Sequence, residues 1–215
     1  MNRRTVVFAF ALVCAGIGAY VSLPRQADLR GFEPAEIARL EAAMWRDYYD
    51  KRYAALFGHL YELSRTQFGF APLDSFRIAL AAAQAARAFQ PTRTREAANA
   101  ARPPLETYYR LLASAVPGGF DAAEAARLEL DWWQARREAA GPEQYGVTVA
   151  GVSAIVYGRP ADDPSLLTAG IGRAEAMAYR DGLGEAMTDA DWTEIECRLR
   201  RAYWSLKAAV VGGDS

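Results

Sequence analysis

Histidine occurs once in 215 residues and cysteine twice, and that scarcity closes several routes to function at the outset. Cys14 sits in the N-terminal apolar segment and Cys197 near the far end, with neither zinc spacing nor a CxxC redox pair. His59 stands alone, so the Glu-x-x-His pairs with which helical bundles hold two irons are missing. A positioned base for a serine nucleophile is missing too. No glycine-rich segment follows a strand, which removes the phosphate-cradling nucleotide loops. Neither ADDPS nor DADW amounts to an aspartate-rich metal motif. No cofactor is indicated by any motif, and no metal site is expected. A surplus of one charge is also lacking: the formal net charge is -1, and the arginines are scattered among acids. Without a basic stripe there is no electrostatic footprint for a phosphate backbone, so nucleic acid is not expected as a partner.

What is present is a globular composition, 52% hydrophobic and 24% charged, in a chain long enough for one domain with its own core. Residues 5–23, TVVFAFALVCAGIGAYVSL, carry no charge and follow a basic start, MNRR. A run of about 20 apolar residues is long enough to cross a bilayer as a helix. A secretory signal would share the basic start and apolar centre, although no A-x-A cleavage site follows. The expectation is therefore a membrane anchor or signal segment over 1–24, a linker over 25–31, an all-α globular domain over 32–211 and a disordered tail over 212–215. The helical domain would lie outside the cytoplasm, anchored to the membrane or, alternatively, secreted after cleavage.

Beyond the linker, the pattern predicts helix after helix and no strand: an all-α bundle of about six to seven helices preceded by the N-terminal membrane-spanning or signal helix. A long helix is expected from about Pro34 to near Phe68, and another from Ala122 to about Ala139, each opening on a capping-box pattern, Glu33 with Glu36 and Asp121 with Glu124. An alanine-rich helix follows Asp74-Ser75. Others start near Pro103-Pro104, at Pro142 and at Pro164, where proline suits a first helical turn, and the last follows Thr188. The β-branched stretch GVTVAGVSAIVYG is the segment most open to being a strand instead.

One stretch is written nearly twice. FEPAEIARLEAAMW, ending at Trp45, recurs 88 residues later as FDAAEAARLELDWW, ending at Trp133. Either a well-capped helix start simply looks like this, or the repeat is an old duplication. Helical geometry adds a point: at 100° per residue, Ile37, Met44, Trp45 and Tyr48 lie within about 60° of Glu41, so that glutamate sits amid an apolar face. Glu129 is placed likewise among Ala122, Ala125, Ala126, Trp132 and Trp133, and Asp181 among Leu167, Gly170, Ala174, Met177 and Ala178. An unpaired buried carboxylate costs several kcal/mol, so each needs a partner. Arg52 and His59 continue the Glu41 stripe, but about 16 Å of helix keeps Arg52 from pairing with Glu41. Arg136, one turn beyond Trp133, is the expected cation.

The candidate polar site is therefore Glu41, Trp45, Tyr48, Arg52, Glu129, Trp133, Arg136 and Asp181. The function it suggests is a membrane-tethered, exported binding or scaffolding module with a small molecule or a protein as further partner. The alternative is an enzyme using Glu41, Glu129 and Asp181 as paired carboxylates for acid and base chemistry, or for holding a metal.

Overall fold

In a computed structural model the chain is described over residues 27–212, together with 16–18, 20, 21 and 23. Among the described residues from 34 onward there are nine α-helices: α1 Pro34–Tyr49, α2 Tyr53–Thr66, α3 Pro72–Phe89, α4 Arg95–Ala98, α5 Arg102–Ala115, α6 Ala122–Arg137, α7 Pro142–Tyr157, α8 Pro164–Leu183 and α9 Asp189–Val211. Two single 3-10 turns, Asn99–Ala101 and Gly184–Ala186, join α4 to α5 and follow α8.

The all-α expectation stands, with two corrections. The first is the helix count, which exceeds six to seven because the long helix expected over 34–68 is two helices and because α4 is an extra turn. The break comes at Lys51, whose φ of 58° is left-handed. Around it the Arg52 amide closes back on the Asp47 carbonyl at 2.8 Å and the Lys51 amide on Tyr48 at 3.3 Å. That pair of bonds is a Schellman closure, and it ends a helix without any glycine or proline to announce it.

The second correction concerns the membrane. The expected anchor or signal helix over 1–24 lies largely outside the described residues. Among the described residues no helix is long and apolar enough to cross a membrane. The longest, α9, has 23 residues but carries Asp189, Asp191, Glu194, Glu196, Arg198, Arg200, Arg201 and Lys207, and each charge at the bilayer centre is costly. Tyr20 accepts a hydrogen bond from Arg65 of α2 at 3.2 Å, a contact with the helical body. The membrane-tethered function, the membrane as partner and the exported location, anchored or secreted, thus find no support among the described residues.

Local chemistry explains most helix starts. Pro34, Pro72, Pro142 and Pro164 stand in first turns, where the missing amide costs nothing. Asp121 caps α6 through the amides of Ala123 and Glu124, but Glu124 turns to Arg127 instead of closing a capping box. Glu33 makes no side-chain cap. The true box is at α9, where Thr188 and Asp191 bond reciprocally. The β-branched stretch is helix α7. Its Gly146 and Gly170 of α8 bring two backbones together so closely that a Cβ on Gly170 would lie 2.4 Å from the Gly146 carbonyl oxygen. Tertiary packing there overrides strand propensity.

The eight longer helices pack round a ring, each on its neighbours in the chain, with α9 returning against α1. Lys207 of α9 fastens the closure through the carbonyls of Arg30 and Phe32. In the segment read as a linker, Ala27 and Leu29 are buried, and the Ala27 and Asp28 amides bond to the carbonyls of Ala115 and Phe68.

The ring has two similar halves. Helices α1 and α6 are both 16 residues long, and each ends on a left-handed non-glycine residue, Lys51 and Ala139. Each is then closed by an amide reaching back five residues. Further along, threonine caps open α4 at Thr94 and α9 at Thr188, and the same spacing lays Leu105, Tyr109 and Leu112 on Leu199, Tyr203 and Leu206. The first half breaks this last helix into α4, a 3-10 turn and α5 because Pro103 and Pro104 lack amides and crowd the preceding turn. Their counterparts in α9 are Cys197 and Arg198, which continue the helix.

Candidate functional site

Inside the ring lies a cavity of about 420 Å³. Its lining is mainly aliphatic and aromatic, and its polar groups gather around two glutamates. Glu41 comes from α1 and Glu129 from the equivalent turn of α6, each with a tryptophan one turn on, Trp45 and Trp133, that also faces the cavity.

Glu41 is 4% exposed. Its Oε1 accepts from Arg173 Nε at 2.7 Å and pairs with a second guanidinium nitrogen at 2.5 Å. Its Oε2 accepts from the Tyr203 hydroxyl. Burial on its own disfavours the charged guanidinium of Arg173, but the Glu41 carboxylate reverses this, with Tyr203 and the more distant Glu129 adding to it, so the group is held above the ordinary arginine range. Burial, then the Glu41 charge, pushes the Tyr203 phenol well above its usual value.

Glu129 is answered differently. Its Oε2 accepts from the Tyr109 hydroxyl at 2.9 Å and from Trp132 Nε1 at 2.9 Å. Its Oε1 accepts from Trp133 Nε1 at 3.0 Å. All three donors are neutral, and among the described residues no cation stands at ion-pairing distance. The Tyr109 phenol is raised by burial first and by the Glu129 charge second, and Tyr108 beside it is raised in the same way. The two tyrosines that serve the glutamates, Tyr203 and Tyr109, are the residues that the two halves place in register.

Of the residues singled out from sequence, Glu41, Trp45, Tyr48, Glu129, Trp133 and Arg136 line the one cavity. Arg52 and Asp181 do not. Arg52 heads α2 and, with His59, converges on the buried Asp47 at the elbow between α1 and α2, at 2.9 Å in both cases. The Schellman break turns the stripe away before it reaches them. Asp181 is not buried: its side chain is 42% exposed, because the last turn of α8 runs past the body of the ring. It holds Arg136 through two bonds of 2.7 and 2.8 Å, and Arg136 also reaches the Tyr49 hydroxyl at 2.5 Å. The expected pairing of Arg136 with the interior glutamates is therefore corrected to Arg173 for Glu41 and to no cation for Glu129.

The acid and base trio does not converge, since Asp181 stands outside the cavity. The metal alternative falls as well: among the described residues, no group of three or more histidine, cysteine, aspartate or glutamate side chains is placed to hold an ion.

Arg173 was missed, although the signal existed. It lies within about 60° of Leu166, Ala169, Gly170 and Met177 on the α8 wheel, all buried, so the arithmetic that singled out Glu41 applies to it equally. Tyr203 is on the apolar stripe of α9 and reads there as core. No protein-family model, no curated protein and no solved structure matches this chain.

Proposed function

We propose that the protein binds one small, largely apolar molecule inside the helical ring, using Glu41, Trp45, Tyr48, Glu129, Trp133 and Arg173 to receive it. The observation that carries this reading is the cavity itself, about 420 Å³, which falls in the range of drug-sized ligand sites. A few fixed polar groups in a mostly apolar wall are the usual composition of such a site. The frame supports them in advance: Glu41 and Glu129 each hold three donors from the protein, so a ligand would meet oriented groups and little reorganisation would oppose binding.

The neutral apolar dye N-phenyl-1-naphthylamine tests the reading, since its emission rises on leaving water. Saturable binding of one dye per chain is expected, lost on Ala86→Phe, which fills the cavity from α3, while the helical circular dichroism is kept. Binding that never saturates, or that a folded Ala86→Phe variant retains in full, would remove the proposal.

A further inference from the structure

The two glutamates are placed alike and neutralised unlike, and the difference traces to one position. The spacing that sets the buried Ser75, Ile78, Ala79 and Ala85 of α3 against the buried Leu166, Ala169, Gly170 and Ala176 of α8 sets Ala82 against Arg173. Both line the cavity. Where the second half sends a guanidinium to Glu41, the first half presents only a methyl group to the cavity that Glu129 also lines.

Both arginines of the lining are then engaged away from Glu129. Glu41 and Arg173 form a pair. Arg136, the other arginine of the lining, is taken by Asp181 and Tyr49. Glu129 is left with three neutral donors, two of them indoles that can only donate. A carboxylate has room for about four acceptor bonds, and among the described residues Oε1 accepts only from Trp133. Trp45, Tyr48, Phe89, Tyr108 and Trp133 belong to the same lining, and aromatic faces attract cations. The protein's own cation illustrates the fit: the Arg173 guanidinium lies 5.4 Å from the centre of a Trp132 ring.

Building on the cavity reading, we infer that the ligand is a cationic amphiphile, an apolar body bearing one protonated amine. Its ammonium pairs with Glu129 beside Ala82, and its body lies along the aliphatic and aromatic wall. An acid of the same shape would bring a second carboxylate up to Glu129, where among the described residues no cation stands at ion-pairing distance.

Three competitors with one body, 4-phenylbutylamine, 4-phenylbutan-1-ol and 4-phenylbutyric acid, are titrated against the bound dye. The amine should displace it at a concentration at least about tenfold below that of the alcohol, a difference of about 1.4 kcal/mol, and the acid should be weakest. Glu129→Gln should erase the preference. Ala82→Arg should erase it too, by supplying the missing cation from within. Ala82→Met, which fills comparable space without charge, should keep it. If Glu129→Gln does not fold, the Arg and Met pair at Ala82 decides alone. Saturable dye binding with the alcohol as effective as the amine, or a preference that survives Ala82→Arg, overturns the cationic assignment and leaves the cavity reading standing. A wild-type protein that does not bind the dye overturns both.

Discussion

Glu41 is almost fully covered, and Arg173 is the cation that answers it. Removing the arginine leaves the anion stranded, so Arg173→Met should cost about 3–5 kcal/mol in urea unfolding. With Glu41→Gln already in place the same substitution should cost far less, and that failure of additivity is the signature of direct pairing. The tyrosines give a second expectation. Tyr109 and Tyr203 are held well above the ordinary phenol value of 10.0, by burial first and by their glutamates second. A folded-state value above the unfolded one gives stability that is whole below pH 10 and lost as pH rises through the folded value. The thermal midpoint should therefore fall steadily above about pH 10, and Tyr203→Phe, though less stable at neutral pH, should flatten that fall. At this scale the sequence was informative about which carboxylates turn inward, because helical angles depend only on spacing. It was silent about the partners that other helices supply, Arg173 and Tyr203 for Glu41 and Tyr109 for Glu129. Asp181 misled because the angular test assumes apolar packing along the whole helix, and in its own last turn the side chain is half-exposed beside Arg136.

Two helices of this fold end on left-handed residues with side chains, Lys51 and Ala139. A left-handed conformation costs an L-residue about 1–2 kcal/mol, and glycine escapes that cost while losing part of it to greater freedom in the unfolded chain. Lys51→Gly and Ala139→Gly should each stabilise the protein by about 0.5–1 kcal/mol in chemical denaturation. A loss instead would mean that the Cβ groups make contacts worth more than the strain. The same two turns explain what could not be read beforehand. Helix starts were legible where Pro34, Asp121, Pro142, Asp163 and Thr188 announce them, while the helix expected to follow Asp74-Ser75 begins at Pro72. The stop at Asp50 was not, since no residue there has a breaker's chemistry, and one missed stop carried Arg52 and His59 onto the wrong face. In α7, propensity pointed one way and packing the other. The close crossing at Gly146 and Gly170 cannot be inferred from either helix alone.

The ring closes where α9 lies on α1, so the first and last long helices are neighbours. A permuted chain that begins at Phe120, joins residue 212 to residue 27 through a short flexible linker and ends at Gly118 should fold with the wild-type circular dichroism spectrum and cooperative unfolding. A permutant that unfolds in two separate steps would instead assign each half its own stability. The all-α class and the repeated helix start were legible from 3.6-residue periodicity. The ring was not, because closure is a matter of which helices meet and leaves no local mark; only the echo of Glu41 and Trp45 in Glu129 and Trp133 hinted that two arcs would face each other. Closure also decides how the protein would respond to force. A pull applied at residues 27 and 212 falls on the Ala27 and Asp28 amide bonds and then on the α1 and α9 contact, with the two bonds Lys207 makes to Arg30 and Phe32. Parting that single seam would uncover Tyr203 and Glu41 and spill the contents of the cavity while the remaining helices were still folded, so tension alone could act as a release trigger.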